Sequence, residues 1–465
     1  MRARSPSREH QTAVRSLPAA RSDPTLTRSL PPFLPRSLAG VEDADDLETV
    51  DDGSGQAAAG AGEDVSERKA LWSQLKSLIG ADVMSLLSVP VFIMEPTTTL
   101  QKMSEILQYT ELLDVAAAEP DPDVRLAYVC ALAISTYSSN ERVKKPFNPI
   151  LGETWEMTLP GANPGVYVSE QVSHHPPIGA GHAETKAWTY DLTSAVKTKF
   201  MGNWVDVWPL GRTRIRLKES GDVFNIIPPM SRVNNVLVGR TWIDTHGDLV
   251  VNNLTTGAKA VIKFKECNMF GGGRWEVSGD IVGADGEPKF SLVGKWNESV
   301  SVTPASGGDA KTLWTKEPMP ADPTKYGFTN FTFKQNAGSS CPPGLLASDS
   351  RLRPDRAALE AGDSSLAGAQ KHALEEAQRF ERKVRESKGD TWNPRWFKLA
   401  ENADLHELER DVGTAVWEWN GEYHAVSEKR AEEAKANGDA ANPLESIAFD
   451  PWCYDETRKE AAAKE

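Results

Sequence analysis

The chain has 465 residues, a formal net charge of −14, 39% hydrophobic and 25% charged residues. These proportions suit a globular protein of one large or two ordinary domains, and the acidic balance argues against nucleic acid and against tight electrostatic docking on an anionic membrane. No apolar run is long enough to span a bilayer, and Cys130, Cys267, Cys341 and Cys453 lie far apart without a CxxC pair, as expected of reduced cytosolic thiols.

Residues 1–36 hold seven arginines, no lysine and two acids, which fits an organellar transit segment or a disordered basic tail. Residues 42–52 carry seven acids and no base, the composition of a solvated linker. Order is expected from Ser66. Over 70–79, Leu71, Trp72, Leu75, Leu78 and Ile79 share one helical face. Thr97 or Thr98 is placed to cap a second helix from Leu100 to about Ala118, and a third follows Pro122 to Tyr137. From Thr154 to about Lys334 the pattern turns to alternation broken by Gly, Pro and Asn, as in Ala260-Val-Ile-Lys-Phe264, which predicts a sandwich or barrel. Helix returns over Ala358–Lys388, interrupted at Gly362-Asp-Ser-Ser365, and the remaining C-terminal stretches are polar.

Three constellations stand out. Glu170-Gln-Val-Ser-His174-His175-Pro-Pro177 sets two imidazoles at a strand end that the prolines terminate, because they lock φ and remove two N–H donors. Paired histidines fit ordinary surface residues, a metal site or an anion site, and the residue types alone do not choose. Lys144-Lys145-Pro-Phe-Asn148-Pro-Ile-Leu-Gly-Glu153 puts a base and an amide in a stiff loop suited to a polar head group. In Lys371-x-x-x-Glu375-x-x-x-Arg379 the four-residue spacing keeps the charges on one helix face, the pattern equally of a solvated charge ladder.

Together these segments resemble the fingerprint, the Lys-Pro-Phe-Asn-Pro motif and the C-terminal Lys-x-x-x-Glu-x-x-x-Arg of oxysterol-binding-protein-related lipid-transfer proteins. The similarity runs from about Ser66 to Tyr423. It includes Glu95-Pro96 with Leu100-Gln101, Asn253-Leu-Thr-Thr-Gly257 and Trp392-Asn-Pro-Arg-Trp-Phe397, and it departs at Tyr423-His424, where the family usually has Tyr-Trp.

The resemblance implies a mainly β protein, a large near-complete antiparallel β-barrel enclosing a lipid tunnel, with N-terminal helices and a C-terminal helical segment. Residues 1–65 would be a disordered basic then acidic region with a possible lid at Phe33, Leu34 and Leu38. Residues 66–425 would be the lipid-binding domain and 426–465 a polar tail. It implies phosphatidylinositol 4-phosphate held by Lys145, Asn148, His174, His175, Lys371, Glu375 and Arg379. The protein would exchange that lipid for a second one between membranes, sterol by family precedent, with phosphatidylserine or a non-exchanging phosphoinositide sensor or tether as the alternatives. Neither catalysis, cofactor nor metal is expected. The protein would be a cytoplasmic monomer that visits membranes transiently.

Overall fold

The computed structural model describes residues 89–159, 163–321, 326–437 and 443–453, together with Trp72, Lys76 and 79–82. The lid segment and most of the expected helix over 70–79 lie outside them.

The ordered chain opens with a short parallel pair, β1 (Met94–Thr98) and β2 (Lys145–Phe147). Between them lie the helices. Thr98 starts the first, its N–H donating to Oε1 of Gln101 at 2.9 Å. The single helix expected to Ala118 is divided into Thr99–Met103, a 3-10 turn Glu105–Tyr109, and Glu111–Ala118. The next, Pro122–Ser135, is capped by Asp121, which accepts from the backbone N–H of Asp123 at 2.8 Å.

Fourteen strands follow in one antiparallel sheet. The first half comprises β3 (Thr154–Leu159), β4 (Gly165–His174), β5 (Pro177–Glu184), β6 (Trp188–Phe200), β7 (Trp204–Leu210), β8 (Thr213–Leu217) and β9 (Val223–Ile227). The second comprises β10 (Met230–Asn234), β11 (Trp242–Asn253), β12 (Lys259–Phe264), β13 (Glu276–Val282), β14 (Pro288–Lys295), β15 (Ser299–Pro304) and β16 (Lys311–Thr315). The long β6 pairs with β8 along its first half and β7 along its second, while β11 pairs with β10 and then β9 on one side and with β12 on the other. Alternation sorts the faces as expected: Ala260, Ile262 and Phe264 are buried, and Lys259, Val261 and Lys263 are exposed.

The expected near-complete barrel is not what forms. The sheet runs from β16 at one edge to β3 at the other, and these two do not pair, so it is curved and open in a mixed α/β fold. Helices and loops take the place of closure. Residues Leu126 to Ser135 are all buried, and this helix packs against β9, β11, β12, β13 and β16. A helix apolar all round must be enclosed, and each Leu or Ile in it is worth about 2–5 kcal/mol against alanine. At one edge, Trp314 of β16 meets Tyr109 edge-to-face at 5.4 Å. At the other, Thr154 of β3 donates its N–H to the Ser348 carbonyl at 2.9 Å and bridges Asp349. Contacts of that kind cover part of an open edge.

Helices Pro354–Glu360 and Ser364–Lys388 come after the sheet. Asp363 caps the second, accepting from Leu366 N at 2.9 Å, so the Gly362-Asp-Ser-Ser interruption falls where it was expected. A hairpin of β17 (Phe397–Leu399) and β18 (Trp417–Trp419) then leads into helix Tyr423–Asn437. Several described residues beyond 425 join the packed body: Arg430 pairs with Glu156 at 2.8 Å, Asp450 N donates to Ala347 O at 2.8 Å, and Trp452 is buried.

Candidate anion-binding site

Strand β4 ends at His174 and β5 begins at Pro177, so the proline pair stops the strand as its chemistry requires. Only the second half of the octapeptide faces outward. Glu170 is fully buried and accepts from the N–H groups of Arg395 (2.8 Å) and Trp396 (2.9 Å), fastening the turn to the Trp392-Asn-Pro-Arg-Trp segment. Gln171 and Val172 are buried as well, whereas His174 is half-buried and His175 exposed. The two rings meet edge-to-face with centroids 4.8 Å apart.

The Lys145–Glu153 loop is built round its own terminal carboxylate. Glu153 accepts from Ile150 N (2.9 Å), Ser350 Oγ (2.6 Å) and Arg353 (2.9 Å). Gly152, at φ +82°, lets the chain pass Trp392, whose ring carbons would lie 2.6 Å from an added Cβ. Backbone bonds from Gly152 N to Gln171 O (3.0 Å) and from Gln171 N to Glu153 O (2.9 Å) lock this loop beside the histidine turn. Arg353 also donates to the Asn148 carbonyl at 2.9 Å.

The long helix closes the third side. Gln378 is buried and accepts from Leu151 N at 2.8 Å, which docks the helix on the loop. Lys371 Nζ lies 2.6 Å from Glu375 Oε1, and Glu375 is also close enough to influence both Lys145 and His174. Arg379 stands apart from this focus. It is half exposed, 3.8 Å from Glu375 and bonded to Glu376.

The charges are arranged against one another. Burial and repulsion from Lys371 and Arg353 pull the Lys145 ammonium down to about 8, with Glu375 only partly offsetting them. Burial, and next the His175 ring, take His174 down to about 4 against the opposing pull of the Pro149 backbone and Glu375. His175 is lowered too, by burial and then by Arg382. Nδ1 of His174 is buried without a hydrogen-bond partner among the described residues. Near neutral pH both imidazoles are therefore uncharged, while Lys145 carries a proton it holds poorly. Crowded cations and spare donors of this kind suit an incoming anion with several acceptor oxygens.

Four participants were not legible as such in the sequence. Arg353 and Glu153 hold the loop, Gln378 docks the helix, and Arg382 supplies a further cation near both histidines. Arg353 offers no local signal for this role, because its partners in the loop are some 200 residues away in sequence. Arg382 could have been found by continuing the helical stripe, since Lys371, Gln378 and Arg382 fall within an arc of about 40° around the axis. Tyr423-His424 lies elsewhere: Tyr423 is buried against Trp396 and bonds Glu156, and His424 meets Glu184 at 3.2 Å.

The oxysterol-binding protein family model matches residues 70–428. The chain belongs to this family. Oxysterol-binding protein-related protein 3C of Arabidopsis thaliana is 43% identical over 438 residues, covering 90% of this chain and 93% of that one. Human oxysterol-binding protein-related protein 7 is 36% identical over 390 residues, covering 83% of this chain and 44% of its own length. Among solved structures, the Osh1 ORD domain in complex with cholesterol superposes with a TM-score of 0.69 at 34% identity, covering 78% of this chain and 88% of that one. The Osh3 ORD in complex with PI(4)P from Saccharomyces cerevisiae gives 0.66 at 29% identity, covering 78% and 93%. No described helix of this family member is long and apolar enough to cross a membrane.

Proposed function

We propose that the protein carries lipid between membranes, binding phosphatidylinositol 4-phosphate through Lys145, Asn148, His174, His175, Lys371, Glu375 and Arg379 and exchanging it for a sterol. The observation that carries this reading is the joining of three segments: the Lys145–Glu153 loop is bonded to the histidine turn through Gly152 N and Gln171 O (3.0 Å) and to the long helix through Leu151 N and Gln378 (2.8 Å), which gathers Lys145, Lys371 and Arg353 as mutually repelling cations. A phosphomonoester brings roughly −1.5 to −2 charges and three acceptor oxygens, which relieves that repulsion and occupies the idle donors. Asn148 adds neutral hydrogen bonds for ring hydroxyls, and Glu375 keeps Lys371 oriented. Relatives solved with cholesterol and with PI(4)P supply the two lipid classes.

Exchange also needs enclosure. Each methylene left in water costs about 0.8 kcal/mol, so a two-tailed lipid does not cross the aqueous phase unaided. Two cargoes that compete for one enclosed space release each other, which gives turnover without catalysis. The test is a liposome transfer assay with labelled phosphatidylinositol 4-phosphate and sterol. Wild type should move many lipids per protein, and His174→Ala with His175→Ala should lose phosphoinositide transfer at least tenfold while sterol binding persists. Stoichiometric uptake without turnover would instead mark a sensor or tether, and unimpaired phosphoinositide transfer by the double variant would remove the histidines from the site.

A further inference from the structure

Met269 and Phe270 are 97% and 96% exposed, far beyond any other large apolar residue among those described. They sit at the tip of the β12–β13 loop, and the loop is built to hold them there. Asn268 Oδ1 accepts from the N–H groups of Phe270 and Gly272, both at 2.9 Å, and Asn268 N donates to Gly272 O at 2.9 Å. Gly271 and Gly273 take φ of +81° and +86°, which other residues adopt only with strain. Beneath the tip, the Arg274 guanidinium lies 4.8 Å from the Trp242 ring and 4.4 Å from Trp275, and both indoles are half-buried. An apolar apex over a collar of tryptophan and arginine matches a lipid interface. There the apex enters the acyl region, while indole and guanidinium groups sit among glycerol and phosphate.

Strand register places this tip relative to the anion site. Ser194 of β6 pairs with Gly179 near the start of β5, so the His174–Pro177 turn lies at the end of the sheet toward which β6 runs. Phe200 pairs with Val205, Trp204 with Asn234, and Asn234 with Trp242, so the β6–β7 and β10–β11 turns share that rim. Phe264 pairs with Gly247, and the β12–β13 loop continues from there towards Trp242. Among these turns the β10–β11 loop adds a further exposed apolar residue, Val238.

We infer that the Met269–Phe270 tip is a membrane anchor that inserts into the bilayer and seats this rim, with its anion site, on the lipid surface. The inference rests on the lipid-exchange reading for its purpose. Its occupant is a bilayer, because a protein-binding patch would present a broad apolar area and not two side chains on a narrow tip above a polar collar.

Full-length protein, the Met269→Ser/Phe270→Ser pair and the Met269→Leu/Phe270→Leu pair would be floated with neutral phosphatidylcholine vesicles. Their affinity for soluble inositol 1,4-bisphosphate would be measured by calorimetry. Burying one large apolar side chain is worth a factor of about ten or more. The serine pair should therefore partition at least tenfold less, the leucine pair close to wild type, and all three should bind inositol bisphosphate alike. Unchanged partition of the serine pair would overturn the anchor and leave the tip to a protein partner. Loss of inositol bisphosphate binding in the serine pair would overturn it too, as a sign that the tip acts through the fold. If wild type failed to bind inositol bisphosphate while the serine pair still lost partition, the anchor would stand and the head-group reading would fall.

Discussion

Two cations at the same loop, Lys145 partly buried and Arg353 fully buried, behave in opposite ways. Arg353 is 2% exposed and lies between Glu153 (2.9 Å) and Asp355 (2.6 Å), and those carboxylates raise its pKa despite burial. Lys145 is desolvated and repelled by Lys371 and Arg353 without enough negative charge to offset them, and its pKa falls. A buried charge with its partners in place is part of the scaffold. A charge held among like charges is kept for something that arrives. The stiff, satisfied network around Arg353 is what makes the frustrated arrangement around Lys145 sustainable, because loop and helix cannot relax away from it.

Removing Arg353 should give the largest effect. Arg353→Met strands two buried carboxylates and frees the Asn148 carbonyl, so unfolding stability should drop by about 3–5 kcal/mol in chemical denaturation. A loss under about 1 kcal/mol would mean that Arg353 is no scaffold residue, and the comparison would fail.

Lys145→Met should do the reverse. It removes desolvation and repulsion, so the ligand-free protein should gain about 1 kcal/mol, as function-for-stability replacements commonly do, while head-group binding is lost. The alkaline pH profile sharpens the point. Lys145 must be protonated to bind an anion and its pKa is lowered to about 8, so wild-type affinity should be full below that pH and fall as pH rises through it. Lys145→Arg, which stays charged, should bind without that alkaline decline, as titration calorimetry from pH 6.5 to 9.5 would reveal.

The smallest effect belongs to the rim of the site. Arg382→Ala should weaken head-group binding several-fold, since Arg382 acts on both histidines from a half-exposed position. Lys383→Glu, exposed and turned to a different side of the helix, should change it less than twofold. Equal effects at the two positions would reduce Arg382 to one more charge in a general field.

Much of this protein was legible without coordinates because its signals are local. The Pro122 helix, the Asp363 start, the alternation in β12 and the stop at Pro176-Pro177 depend on residues within a turn or two of one another. Chain closure was not local. Whether β16 meets β3 depends on what packs along each of them: the helix whose residues Leu126–Ser135 are all buried packs against β16, and the Ser348–Asp349 segment bonds β3 at Thr154. The site divides along the same line. Residue types and spacing left Lys145, His174, His175 and Lys371 open between ordinary surface charges and an anion site, and the resemblance of their segments to the family's motifs singled them out. That Arg353 rather than a neighbouring base holds the loop, that Gln378 docks the helix, and that Arg379 leans outward toward Glu376 while Arg382 reaches the histidines were decided only by tertiary packing. Partners roughly 200 residues apart leave no trace in the order of the residues between them.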